Sequence, residues 1–353
     1  MERKKSFFYL WLLLAAILVM VSACGWMPSK GLRTQAEDSE GSNNSSLIGA
    51  ADSIQRPEGI AVSYNRFNIA TIDNNQTNVL TSSNRDFKPV SSSDGKYLVF
   101  FRVVTYGNGT FETWKTKICV INYDGGGFRE LTSGSYADYN PTFMRDGTNR
   151  IVFNRYNRHG RGRSEIYMTT PEASPGEEQK ISHPTIPAYE WVYSSLKDGR
   201  LFIHRIQTAQ REVYLLKPNP GGLGEYQRIS MPTTNYIHKA NISPSETKIT
   251  YMFDNDNNGA TYNDVQIAWS KFDVDGLRVY DQKLITAYDT KTIEEYPKWS
   301  PDETLIIYDS NKMYGGGNIF QLYAYRLSDG AEKNISPDKN LNCQLSSVRG
   351  LPK

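Results

Sequence analysis

Residues 254–259, Asp-Asn-Asp-Asn-Asn-Gly, put oxygen-bearing side chains at Asp254, Asp256 and Asn258 ahead of Gly259. Alternation of this kind turns carboxylate and amide oxygens to one side, as a hard cation such as Ca2+ requires. The second half of the stretch departs from that scheme. Val265 stands where a calcium loop needs a bidentate Glu, and Asp264 is the nearest acid. The stretch reads either as a partial Ca2+ site (Asp254, Asp256, Asn258, Asp264) or as a polar hairpin loop, and no other cofactor is expected. A second stretch, 154–163, gathers Arg155, Arg158, His159, Arg161 and Arg163. It offers either a contact for an anionic partner, such as a lipid headgroup or an acidic protein face, or a solvated hairpin. The four histidines, His159, His183, His204 and His238, show no metal-ligand spacing, and no Gly-x-Ser-x-Gly nucleophile turn occurs. No residue stands out as catalytic.

The N-terminus carries chemistry of another kind. Basic Met-Glu-Arg-Lys-Lys is followed by an apolar run of 15 residues, 7–21, and then by small residues before Cys24. A run this short is a secretion signal rather than a membrane span. Val21-Ser22-Ala23-Cys24 resembles the lipobox of bacterial lipoproteins. That resemblance implies cleavage after residue 23 and acylation of Cys24. Two or more acyl chains, at about 0.8 kcal/mol per buried methylene, would hold the protein firmly in a bilayer. The alternative is an ordinary signal or an uncleaved anchor. Gly25 rather than Asp follows the cysteine, which points to the outer membrane if the cell has two. Residues 24–57 lack an apolar period and are rich in Ser, Asn, Gly and charge, as befits a flexible tether.

Losing residues 1–23 removes Arg3, Lys4, Lys5 and Glu2 and leaves 37 basic and 37 acidic residues. A neutral balance argues against nucleic acid as a partner. Cys119 and Cys343 then remain, and they are expected as two separate buried thiols.

Positioning falls to residues 58–353. The 23 Tyr and 14 Phe, with many Gly, Asn, Asp and Ser, favour strands and turns. Units end in Leu-Thr, Ile-Thr or Ile-Ser at Thr81, Thr132, Ser182, Ser230, Thr286 and Ser336, with gaps of 51, 50, 48, 56 and 50 residues. Openings recur as polar turns leading into apolar runs, at Pro89, Pro141, Asp198, Ser243 and Pro297. A period near 50 built from about four short strands predicts a propeller, because stacked blades bury faces that one blade would expose. The sequence predicts an all-β fold of six blades, with seven as the alternative. The first unit lacks its opening strand, and residues 341–350 supply a strand with nothing after it. Pairing the two would close the ring.

Pro297-Lys298-Trp299-Ser300-Pro301-Asp302, followed by Leu305-Ile306-Ile307-Tyr308 and a terminal Asn334-Ile335-Ser336, resembles the WD-like repeats of the TolB propeller family. The resemblance spans about 58–350, and the other units are looser: Ser91, Phe143 and Ile242 stand where Trp299 does. It implies a non-enzymatic, monomeric scaffold that presents loops and a central channel to protein partners of the bacterial cell envelope. The α/β domain that precedes the propeller in TolB is not expected here, and lipidation sets this chain apart as TolB-like. Related propeller lyases hold a metal through channel histidines. The alternative is therefore a carbohydrate-binding or lyase-like propeller in which His183, His204 and His238 converge at the channel mouth.

Overall fold

The computed structural model describes residues 51–348, except 65–66, 74–75, 108–113, 158–162, 183–188, 208–209, 221, 223, 234–236, 255–264, 287–291, 315–318 and 339–341. It is an all-β propeller. Four-stranded antiparallel sheets follow one another along the chain. β1 (Ile60–Tyr64), β2 (Asn68–Asp73) and β3 (Gln76–Val79) form the first. β4 (Asp86–Ser91), β5 (Tyr97–Thr105), β6 (Lys115–Asn122) and β7 (Arg129–Glu130) form the next. β8 (Ala137–Phe143), β9 (Ile151–Asn157), β10 (Arg163–Thr169) and β11 (Gln179–Lys180) are joined to β12 (Tyr189–Ser195), β13 (Leu201–Gln207), β14 (Gln210–Lys217) and β15 (Glu225–Arg228) by a single parallel pair, Ser164 with Tyr189. β16 (Ile237–Ile242), β17 (Lys248–Asp254), β18 (Val265–Asp273) and β19 (Arg278–Leu284) precede β20 (Glu294–Trp299), β21 (Leu305–Ser310), β22 (Gln321–Arg326) and β23 (Glu332–Asn334). The last strand, β24 (Cys343–Val348), pairs antiparallel with β1.

The opening strands lie against one another: β24 against β4, β4 against β8, β8 against β12, β12 against β16, β16 against β20, and β20 against β24. The core lies between neighbouring sheets. Ile60 and Val62 pack with Leu305 and Ile307, and Met252 and Ile267 pack with Trp299 and Tyr308.

The recurring motifs earn their places through backbone hydrogen bonds. In the Ser300–Thr304 turn the Asp302 carboxylate accepts from the Ser300 hydroxyl at 2.5 Å and the Thr304 amide at 3.1 Å, and the Leu305 amide donates to Ser300 Oγ at 2.9 Å. Ser92 and Asp94 repeat the arrangement. The unit-ending hydroxyls do something that their position at first hides. Thr81, Thr132, Ser182, Thr286 and Ser336 each accept the amide of Ile69, Ile118, Ile166, Ile267 or Leu322 at 2.8–3.0 Å. The outer strands are short, and the hydroxyl takes over a ladder bond where they stop, so no buried donor is orphaned. Ser230 departs: its backbone bridges to Leu277 and Val279 of the following sheet. Trp299 donates its indole N–H to Asn241 O at 3.0 Å, tying its sheet to the preceding one.

Candidate functional site

Among the described residues β4, β8, β16 and β20 have no ladder partner on the inner side, and β12 has only the Tyr189–Ser164 pair, so these strands can bulge with little loss of hydrogen bonding. Five do: between Phe87 and Val90, Tyr139 and Thr142, Val192 and Ser194, His238 and Asn241, and Glu295 and Lys298. In four of them the first extra residue is left-handed: Lys88 (φ 52°), Asn140 (φ 50°), Lys239 (φ 48°) and Tyr296 (φ 53°). A proline follows three of these, where its missing N–H costs nothing. Left-handed backbone at a residue with a side chain costs on the order of 1 kcal/mol and tends to persist where a side chain must be aimed.

The four aimed side chains meet although they come from four sheets. Lys88 Nζ donates to Asn140 Oδ1 at 3.1 Å and stands 5.1 Å from the Tyr296 ring centroid. Lys239 Nζ stands 3.5 Å from that centroid and donates to Glu295 Oε1 at 3.0 Å. Two ammonium groups thus flank one phenol ring, the arrangement that ring quadrupoles favour.

The strand pair behind each bulge differs around the ring. Three residues before the bulge on β12, Glu190 faces Arg205 (3.6 Å), and two residues before it on β4 and β8, Asp86 faces Arg102 (2.6 and 2.9 Å) and Asp138 faces Arg155 (2.7 and 2.9 Å). On β20 the same position is Glu294, and its partner is Ser310. One residue before the bulge, the pairs are Phe87 with Phe101, Tyr139 with Asn154, Val192 with Ile203 and His238 with Met252. On β20 the pair is two acids, Glu295 with Asp309. Asp309 is fully buried, and neither of its oxygens has a hydrogen-bond partner among the described residues. Burial, then the Glu295 carboxylate, push its carboxyl well above the ordinary range, while Lys239 and Lys298 pull the other way. Burial and the Glu295 carboxylate thus favour the protonated form of Asp309. Burial also lowers the Lys298 ammonium to about 8. The arrangement can bind charged groups at the two lysines and hold a proton at Asp309.

Of the residues singled out in the sequence, Arg155 is not in an exposed loop. It lies buried in β9, bonded to Asp138 and to Glu178 at 2.7 Å, and stacked on Tyr136 and Tyr167 at 4.5 Å each. Burial opposes its charge, but the two carboxylates outweigh burial and raise its basicity further. Its charge is spent inside the fold. Arg163 begins β10, and Asp254 ends β17, buried. Arg158, His159, Arg161, Asp256, Asn258, Asp264, His183 and Cys24 lie outside the described residues. His204 and His238 do meet, with ring centroids 6.4 Å apart. Cys119 is a buried thiol that burial holds protonated, and Cys343 begins β24. The sequence reading passed over Lys88, Asn140, Lys239, Tyr296, Glu295 and Asp309. The signal it could have used is the residue before each opening proline, Lys88, Asn140 and Tyr296, with an acid two places earlier at Asp86, Asp138 and Glu294.

No protein-family model matches the chain, and no curated protein matches it. Solved structures do. TolB from Acinetobacter baumannii superposes with a TM-score of 0.56 at 15% identity, over 83% of this chain and 65% of that one. A TolB from Agrobacterium tumefaciens gives 0.52 at 16% identity, over 85% of this chain and all of its own length (100%). The chain folds as a TolB-like β-propeller. Hydrazine synthase from Kuenenia stuttgartiensis gives 0.58 at 16% identity over 87% of this chain, which spans about half (49%) of that protein. At such identities the likeness of the TolB-like propeller to these structures is one of fold.

Proposed function

We propose that this TolB-like propeller is a non-enzymatic, monomeric binding module of the bacterial cell envelope, lipid-anchored through Cys24 and joined to its anchor by the 24–57 tether. It has six blades, and the pairing of β24 with β1 closes the ring. In a cell with two membranes it sits on the outer one. The observation that carries this reading is the meeting of Lys88, Asn140, Lys239 and Tyr296 from four sheets, each held in left-handed backbone. A fold that keeps four strained residues at one point has a use for their side chains there, and Lys88 and Lys239 bring two ammonium groups to that point. The contacts of each opening strand with the next support the blade count, and the signal and small residues before Cys24 support the anchor.

Crosslinking mass spectrometry of intact cells that carry either the native protein or Cys24→Ala tests the reading. The native protein should fractionate with membranes and crosslink to another envelope protein, and Cys24→Ala should leave the membrane fraction. Recovery of the monomer alone from native cells overturns the binding role, and membrane retention of Cys24→Ala overturns the anchor.

A further inference from the structure

The sheet β16–β19 has an outer strand unlike the rest. β19 runs for 7 residues, whereas β3, β7, β11, β15 and β23 have 4, 2, 2, 4 and 3. It also bulges. Trp269 pairs with Lys283 and Lys271 with Tyr280, so Asp281 and Gln282 both stand opposite Ser270, with Asp281 left-handed at φ 59°. The bulge and the lysines break the edge ladder, so another strand is poorly placed to add there. What the bulge does instead is bring side chains together.

A cleft of about 400 Å³ opens on this face, lined by Thr247, Lys248, Trp269, Lys271, Asp273 and Tyr280. That volume suits a small ligand. Trp269 is partly exposed and braced edge-on by Trp299, at 6.5 Å and 82°. Tyr280 is 40% exposed. Cations surround both rings: Lys283 lies 5.0 Å from the Trp269 centroid, and Lys271 and Arg278 lie 5.9 and 5.0 Å from that of Tyr280. The local acids are already engaged, Asp281 with Lys271 at 2.9 Å, Asp273 with Arg278 at 2.9 Å and Glu303 with Lys248 at 2.8 Å. Lys283 brings the cations to four against these three carboxylates.

We propose that this cleft binds an anionic saccharide. A sugar ring offers an apolar C–H face to an aromatic ring and a rim of hydroxyls to charged hydrogen-bonding groups, and Trp269 and Tyr280 supply the first while Thr247, Lys248, Lys271 and Asp273 supply the second. The excess cation selects a carboxylate on the sugar. The site is separate from the residues that meet at the strand bulges, so it stands or falls apart from the partner-binding reading.

The test is calorimetric titration of the full chain in detergent with a carboxylated tetrasaccharide, its carboxyl-reduced counterpart, and acetate. The acidic tetrasaccharide should bind, and the reduced form should bind about tenfold more weakly, the equivalent of one lost charge-assisted bond. Tyr280→Ala, at an exposed position that the core does not need, should lower affinity about tenfold. Lys271→Gln with Lys283→Gln should lower it comparably and flatten its salt dependence. Trp269→Ala should abolish binding, and its unfolding temperature is measured alongside because Trp299 leans on it. Failure of the tetrasaccharide to bind, equal binding of the reduced form or of acetate, or indifference of binding to Tyr280→Ala overturns the proposal.

Discussion

Two sides of the same ring treat a buried carboxylate in opposite ways. On β4 and β8 the acid before the bulge meets an arginine across the strand pair through two bonds, of 2.6 and 2.9 Å for Asp86 with Arg102 and 2.7 and 2.9 Å for Asp138 with Arg155, whereas on β12 Glu190 only approaches Arg205, at 3.6 Å. On β20 the arginine has gone. Glu294 faces Ser310, and one place on Glu295 faces a fully buried Asp309 whose oxygens have no hydrogen-bond partner among the described residues. The backbone is the same device in both. The difference teaches that the ring separates its tasks: on β4 and β8 an arginine compensates the acid through two hydrogen bonds and holds the strand pair, while on β20 the buried Asp309 has no hydrogen bond among the described residues and lies beside the residues aimed by the bulges. A buried carboxyl without a hydrogen bond is costly, and it persists where something other than stability selects it.

The contrast can be broken by substitution. The largest effect is expected at Asp138→Ala, which strands the buried Arg155 between its remaining partners and should cost about 3–5 kcal/mol in urea unfolding. A loss below about 1 kcal/mol, the range of an exposed ion pair, would show that the arginine side is not the structural one.

Asp309→Asn should behave otherwise, staying within about 1 kcal/mol of the native protein at pH 7, because an amide of the same shape replaces a carboxyl whose charge burial disfavours. Its pH dependence sharpens the point. The folded carboxyl titrates above its unfolded value, so its favourable contribution is fully present below the unfolded pKa and is lost as pH rises toward the folded one. Native stability should therefore fall relative to Asp309→Asn as pH climbs above the ordinary carboxylate range. A difference between the two proteins that stays constant with pH would mean that Asp309 ionises normally.

The smallest effect is expected at Lys88→Gly. Relief of left-handed strain should raise stability by up to about 1 kcal/mol. The same change should weaken partner crosslinking in cells. A variant both less stable and fully crosslinked would make Lys88 a scaffold residue.

Much of the architecture was legible in the sequence because propeller blades repeat, and the repeat at Thr81, Thr132, Ser182, Thr286 and Ser336 reflects one hydrogen bond made five times. The turn residues Ser300 and Asp302 were legible for the same reason. The site was not. Lys88, Asn140, Lys239 and Tyr296 differ in type and lie far apart in the chain, and only the closing of sheets beside one another brings them together. Arg155 misled for a related cause: next to Arg158 and Arg161 it reads as part of a basic loop, but it sits on a strand whose neighbour supplies Asp138. Charge runs in a sequence do not reveal which members face an acid across a ladder.

The central claim is that the residues aimed by the inner bulges form a binding surface. A photo-crosslinking amino acid at position 296, compared in living cells with the same group at position 128 on the exposed outer rim, tests it most directly. Illumination should join an envelope protein to the chain through position 296 and not through 128. Adducts through 128 alone, or none through either, would contradict the account.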